Sequence, residues 1–138
     1  MILIDDRVKT DYDFSILEQI LEGLSDRDVE FIITDDDEIR TLNAQFRGID
    51  KATDVLSFPL EEIPFMPLGT IVVSIDKIRQ RAKEFGHSGE DESALLFIHG
   101  LLHLLGYDHE VDNGEMREKE KEIIKEHDLP DSLILRND

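Results

Sequence analysis

Three histidines near one another in the sequence are the residues best suited to chemistry in this chain. They follow the pattern H-x-x-x-H-x-x-G-x-x-H, at His99, His103 and His109. His99 and His103 lie four residues apart in a long apolar stretch, so a helix there would place both imidazoles on one face, with Cβ atoms about 5–6 Å apart. Gly106 falls where this helix should end, and glycine readily adopts the left-handed conformation that turns the chain. The turn can then bring His109 back toward the imidazoles of His99 and His103.

This arrangement predicts a site for one divalent metal ion. Three neutral imidazoles suit Zn²⁺ best, and three protein ligands leave the fourth position of a tetrahedral ion open for water or substrate. Water bound to such an ion has a pKa of about 7, and a phosphoryl oxygen bound there is polarised. The alternative is that the histidines are separate core residues, each of which would then need its own hydrogen-bond partner. We expect one Zn²⁺ ion held by all three.

Metzincin peptidases use the same histidine spacing, but Gly100 argues against a peptidase. Zinc peptidases place a glutamate directly after the first ligand, where it takes a proton from metal-bound water. Glycine stands at that position here and has no side chain to do so. We expect Gly100 instead to leave space beside the ion for a bulky substrate group. The identity of the general base stays open.

Arg47 is the candidate cation for holding an anionic substrate. A guanidinium can clamp a phosphate with two hydrogen bonds and stabilise growing negative charge. The alternative is a solvated cation at the end of a helix. The chain has 15 Lys and Arg against 33 Asp and Glu, a net charge of −18, which argues against coating nucleic acid by bulk electrostatics. Together with Arg47 and Lys51, four basic residues on one predicted helix could still form a positive track toward the metal: Lys77, Arg79, Arg81 and Lys83. The equal alternative is a solvated helix face that balances acidic residues elsewhere.

Strands and helices alternate in the pattern that must position these residues. Short β-rich runs predict strands at 1–4, 29–34, 54–58 and 69–74. Helical spacing of apolar residues predicts helices at 12–24, 35–46, 76–85, 90–105 and 114–127. The sequence therefore predicts an α+β fold, with a single mixed sheet of about four strands and helices packed around it. The helix that carries His99 and His103 is apolar nearly all round, so we expect it to be buried on most sides.

Length and composition restrict the class of protein further. A chain of 138 residues is long enough for a buried core, and we expect a single metal-dependent hydrolase domain over 1–138. The absence of cysteine excludes disulfides, thiolate metal sites and a cysteine nucleophile. No run approaches the roughly 20 apolar residues of a membrane span, and no secretory signal is visible. We expect a cytoplasmic protein.

Other polar residues have structural alternatives that weigh as much as functional ones. Asp108 could orient a ligand histidine or serve only as a turn residue. Asp54 could support the site, although a structural role in its loop is favoured. His87 and His127 are predicted to lie at the surface. The acidic run 115–126 is predicted to be a solvated helix exterior with interspersed lysines.

Three blocks of the sequence resemble the YbeY family of bacterial metallo-endoribonucleases. They are the segments 43–47 (NAQFR), 53–59 (TDVLSFP) and 99–109 (HGLLHLLGYDH), and their order and separations also fit the family. The resemblance spans nearly the whole chain, from residue 1 to about residue 124.

The resemblance implies a single-strand-specific endoribonuclease that acts in 16S rRNA 3′-end maturation and ribosome quality control. It implies Zn²⁺ on His99, His103 and His109, with Arg47 as a functionally important cation near the metal. The implied partners are single-stranded RNA or rRNA and either the ribosome or its small subunit; we expect neither a membrane nor DNA as a partner. One strand departs from the family pattern, because the usual Gly-Asp-Ile has Thr70 at its centre; any help that the aspartate gives the site is missing.

A second function of a different class remains open. The protein could be a ribosome-assembly factor whose zinc mainly holds the fold and which cleaves RNA little. The fourth coordination position separates the two, because an open position favours an enzyme and a protein ligand that closes it favours a structural role.

Overall fold

Nine apolar or amphipathic runs form the strands and helices in the part of the chain that the structure describes. The computed structural model describes residues 1–60, 66–107 and 113–130. Within these ranges the elements are β1 (Ile2–Asp6), α1 (Ser15–Glu22), β2 (Val29–Thr34), α2 (Asp36–Arg47), β3 (Val55–Pro59), β4 (Gly69–Ser74), α3 (Ile75–Phe85), α4 (Gly89–Leu104) and α5 (Glu115–Glu126). No helix in the described ranges is both long enough and apolar enough to cross a bilayer.

The four strands form one mixed sheet in the order β1-β2-β4-β3. β1, β2 and β4 run parallel, whereas β3 runs antiparallel to β4 and lies at an edge. β4 is an interior strand, as its continuous apolar run predicts. The predicted α+β class, with a single mixed sheet of four strands, is therefore confirmed.

Alternation along the strands divides the core into two layers. Phe31, Ile71 and Val73 face one side, where they belong to the large cluster that also holds apolar residues of α1, α3, α4 and α5. Val72, between Ile71 and Val73, faces the other side and packs in a smaller cluster with Ile39 of α2. α2 therefore covers one face of the sheet, and the predicted metal helix α4 lies on the opposite face.

α4 is buried on most sides, as predicted. The Ser88 hydroxyl accepts a hydrogen bond from the Asp91 amide at 3.0 Å, which caps the first turn. Eleven of its sixteen residues are buried, so the helix is the centre of the larger core layer. It ends just before Gly106, whose φ of +100° turns the chain in a conformation that favours glycine.

The surface position predicted for His87 is wrong. Its side chain is only 2% exposed, and its Nε2 lies 2.7 Å from Oε1 of Glu92, which is 0% exposed. The ring also stacks on Phe85, with centroids 6.3 Å apart. The loop between α3 and α4 turns inward, because a buried carboxylate near the start of α4 offers the imidazole a hydrogen-bond partner.

We expect the His87–Glu92 pair to contribute measurably to stability. His87→Ala removes a partner of a buried carboxylate and should lower the free energy of unfolding by about 1–3 kcal/mol. A double-mutant cycle with Glu92→Gln, followed by urea denaturation, should give a coupling energy of at least about 0.5 kcal/mol. The exposed residue Gln80 on α3 supplies the control, because Gln80→Ala should change stability by less than about 0.5 kcal/mol. A coupling energy near zero would show that the His87–Glu92 contact does not stabilise the fold.

Candidate functional site

His99 and His103 point out of α4 on the same side. The two Nε2 atoms are 3.2 Å apart, and the ring centroids are 4.8 Å apart. Both residues are partly exposed, although most of their helix is buried. The four-residue spacing therefore brings two imidazole nitrogens to one point at the protein surface, as the sequence predicts.

The separation of these nitrogens fits two ligands of one metal ion. Two zinc–nitrogen bonds of about 2.0–2.1 Å at a tetrahedral angle place the ligand atoms roughly 3.4 Å apart. The observed 3.2 Å is close to that value and is also a hydrogen-bond distance between one protonated and one unprotonated nitrogen. His109, the third predicted ligand, lies outside the described residues. Within the described ranges no group of three His, Asp or Glu residues has metal-ligand geometry.

A buried carboxylate contacts the other nitrogen of His99. Oε1 of Glu120, on α5, is 2.9 Å from His99 Nδ1, and the Glu120 side chain is 6% exposed. The predicted solvated exterior for 115–126 is thus wrong at this position. The sequence contains a signal for this burial, because Glu120 falls at helical spacing with the buried apolar residues of α5, which are Met116, Ile123 and Ile124.

A cleft of about 580 Å³ contains the two histidines and Arg47. Arg47 is the last residue of α2, which ends because Gly48 adopts a left-handed φ of +71°. Its side chain is exposed and makes no hydrogen bond or ion pair within the described part of the chain. The cleft therefore combines the end of a helix from one face of the sheet with the histidines from the other face.

β3 forms the wall of the cleft between these two faces. The Ser74 amide donates to the Asp54 carbonyl at 3.1 Å, and the Leu60 amide donates to the Leu68 carbonyl at 2.9 Å. Even-numbered residues of β3 therefore bond to β4, and the backbone groups of Val55 and Ser57 point the other way. Pro59 fits this alternation, because its backbone points away from β4, where no neighbouring strand of the described sheet needs the N–H group that proline lacks.

Gly100 serves the packing of α4 rather than substrate access. A Cβ atom at this position would lie 2.8 Å from Ile71 Cγ2 and 3.1 Å from Ser57 Oγ. The Ser57 hydroxyl also donates to the Gly100 carbonyl at 3.3 Å. The expectation that Gly100 leaves room for a substrate group beside the ion is wrong, because this glycine faces the sheet and not the cleft.

The positive track predicted along α3 does not line the cleft. No side chain of α3 is among the described residues around it. Lys77 instead forms an ion pair with Asp36 at 3.4 Å. Arg47 is thus the one Lys or Arg that the described residues supply to this cleft.

Asp54 lies in the cleft wall, and its carboxylate accepts a hydrogen bond from the Thr53 hydroxyl at 3.4 Å. Asp108, the other candidate carboxylate, lies outside the described residues. The Thr70 hydroxyl donates to Glu30 at 3.0 Å. Because Thr70 pairs with Phe58, which packs on the α2 side of the sheet, it faces away from α4 and makes no contribution to the histidine pair.

Comparison with known proteins now identifies the family. The family model described as Endoribonuclease YbeY matches residues 6–128. The chain belongs to the endoribonuclease YbeY family. A relative of that name from Nautilia profundicola is 64% identical over 99% of both chains. Another from Sulfurimonas denitrificans is 56% identical over 100% of this chain and 99% of its own. The resemblance noted from the three sequence blocks is confirmed.

The fold of the YbeY family member agrees with a solved structure. A Thermotoga maritima protein with a known solution structure is 40% identical to this chain in sequence. The two structures superpose with a TM-score of 0.66 over 92% of this chain and 89% of that one. The family name denotes an endoribonuclease, which agrees with the hydrolase class predicted from the histidine spacing.

We expect Gly100→Ala to destabilise the fold. Alanine improves helix propensity by about 1 kcal/mol, but its methyl group would press on the fully buried Ile71, and overpacking costs about 1–3 kcal/mol. Because the added Cβ would lie 2.8 Å from Ile71 Cγ2, closer than Cβ atoms approach other atoms in real structures, we expect a cost of about 2–3 kcal/mol and a net loss of about 1–2 kcal/mol in urea denaturation. Gly23→Ala is the matched control, because the nearest atom to its added Cβ lies 3.7 Å away. An unchanged stability for Gly100→Ala would refute the packing role.

Proposed function

We propose that this protein is a zinc-dependent endoribonuclease that cleaves single-stranded RNA. The observation that carries the proposal is the meeting of His99, His103 and Arg47 in one cleft, in a chain that matches an endoribonuclease family over residues 6–128. By the family resemblance, its substrate is the 3′ end of 16S rRNA, its partner is the small ribosomal subunit and its location is the cytoplasm.

His99, His103 and His109 would hold the ion. When bound, Zn²⁺ would polarise a phosphoryl oxygen of the substrate and lower the pKa of a bound water. Neutral imidazoles add no charge, so the ion's +2 charge attracts an anionic phosphodiester more than a neutral amide. This electrostatic preference supports RNA over peptide as the substrate.

Arg47 would hold the phosphate that is attacked. A guanidinium offers two parallel N–H donors to phosphate oxygens and keeps its charge at every relevant pH. Because Arg47 has no protein partner among the described residues, a phosphate need not displace an existing ion pair. The N–H groups of Val55 and Ser57, which point away from β4, are further donors along the same wall.

The shape of the cleft supports a single-stranded substrate. Its volume of about 580 Å³ suits a short flexible segment with splayed bases. A rigid A-form duplex exposes its scissile backbone only on a wide, stiff surface and cannot bend into such a cleft. The preference for single strands would thus follow from access to the histidines.

The net charge of −18 restricts how the protein recognises RNA. An acidic surface weakens non-specific attraction to phosphates and leaves affinity to local contacts. With Arg47 alone among Lys and Arg of the described cleft residues, binding of free RNA should be weak. Delivery of the RNA end by the small ribosomal subunit would compensate.

Replacing His103 tests the proposal directly. His103→Ala should release zinc and lower cleavage of a single-stranded RNA by about 10³-fold or more, because metal catalysis contributes several kcal/mol. Elemental analysis and a cleavage assay on purified protein measure the two effects. His127→Ala is the control, since His127 lies at the end of α5 and is not among the described residues of the cleft.

The outcomes for His103→Ala separate the candidate functions. Wild-type cleavage by the metal-free variant would refute the zinc mechanism. Zinc in the wild-type protein without RNA cleavage would favour the assembly factor with a structural zinc.

Replacing Arg47 tests the phosphate-binding role. Arg47→Ala should lower kcat/KM by about 10²–10³-fold with zinc content unchanged, whereas Arg47→Lys should retain part of the activity because the charge remains. Arg40→Ala is the matched control on the same helix, where Arg40 pairs with Asp50 at 2.8 Å outside the cleft. Equal effects of Arg47→Ala and Arg40→Ala would show a general loss of charge rather than a specific contact.

A further inference from the structure

We infer that Glu120 is a positioning residue for this site, which fixes the tautomer and the ring orientation of His99. The inference rests on the proposed function, because it assigns Glu120 a role toward the same metal ion. Neither the histidine spacing nor the three family-like blocks include this glutamate.

The hydrogen bond between the two side chains determines where His99 carries its proton. A carboxylate accepts hydrogen bonds and does not donate them, so with an ionised Glu120 the 2.9 Å contact places a proton on His99 Nδ1. A neutral imidazole has one such proton, so Nε2 then carries the lone pair. That lone pair is the one that a metal ion needs.

The position of His103 is consistent with this tautomer. Its Nε2 lies 3.2 Å from His99 Nε2, so in the metal-free protein one of the two nitrogens donates to the other. If Glu120 holds the His99 proton on Nδ1, His103 must be the donor. The carboxylate therefore keeps an unprotonated nitrogen directed at the point where both rings meet.

The burial of Glu120 requires polar partners, and His99 is one of them. Its side chain is 6% exposed and occupies an apolar-face position of α5 beside Met116 and Ile123. Burying a carboxylate costs free energy unless charged or hydrogen-bonding groups compensate, and an apolar residue would fill the position without that cost. The neighbouring acids Glu118 and Glu122 instead pair with lysines on the helix surface.

A carboxylate behind a ligand histidine has a known physical effect. It fixes the ring orientation and raises the basicity of the ligand nitrogen, and its loss typically weakens metal binding by about 10–100-fold. Through Glu120, α5 would control the metal affinity of a histidine that belongs to α4.

The first test needs neither metal nor RNA. Long-range ¹H–¹⁵N correlation spectra of the metal-free wild-type protein report which imidazole nitrogen carries the proton, with His99→Gln used to assign the signals. We expect the Nδ1–H tautomer for His99 and the Nε2–H tautomer for His103. A His99 proton on Nε2 would overturn the inference, whatever the enzyme cleaves.

The second test measures zinc affinity by competition with a chromogenic chelator. Glu120→Gln keeps the side-chain volume but removes the charge and should weaken Zn²⁺ binding by about 10–100-fold. Glu118→Gln is the matched control on the same helix, where Glu118 is 76% exposed, and should bind zinc as the wild type does. Equal zinc affinities for the wild type and Glu120→Gln would refute the role.

The two tests separate this inference from the proposed function. If RNA cleavage is absent but the tautomer and the affinity change are as expected, the enzymatic proposal fails and the positioning role of Glu120 stands. If Glu120→Gln does not fold, the spectra of the wild-type protein still decide the matter.

Discussion

The close contact between α4 and the β3–β4 pair is the constraint on which the rest of the molecule depends. Gly100 permits it, because any larger residue would meet Ile71 and Ser57. The helix is held against the sheet at Gly100. His99, which directly precedes the glycine, and His103, about one helical turn further on, therefore face outward past the edge strand. The orientation of His99 and His103 therefore follows from backbone packing, before any metal or hydrogen bond is considered.

The edge strand β3 also explains how a strongly acidic protein could present the proposed phosphate site. β3 is flanked by α2 on one face of the sheet and α4 on the other, so the cleft at its edge collects groups from both layers. Arg47 reaches it at the end of α2 and the imidazoles reach it from α4. Asp54 is the one Asp or Glu among the described residues that line this cleft, although the chain as a whole has a net charge of −18. Attraction is local, while the surface as a whole repels phosphate.

Much of this arrangement could be predicted from local patterns, and the parts that could not depend on tertiary contacts. The β-branched run 69–74 and the apolar helix before Gly106 have strong periodicity, and both elements occur where predicted. The roles of Gly100 and His87 were mispredicted, because each depends on a partner from another element: Ile71 for the glycine and Glu92 for the histidine. Spacing along one helix shows which residues share a face, but it does not show what that face contacts.

Two histidine–glutamate pairs each have one member on α4, and their surroundings distinguish their roles. His87 and Glu92 are 2% and 0% exposed, so the pair is closed to any ligand and contributes to the packing of the helix start. His99 and Glu120 are 31% and 6% exposed, with the carboxylate inside and the imidazole open to the cleft. The second imidazole has one nitrogen bound to protein and the other directed at His103. The same chemical pair is therefore structural where both members are buried, and suited to ligand binding where the imidazole faces the cleft.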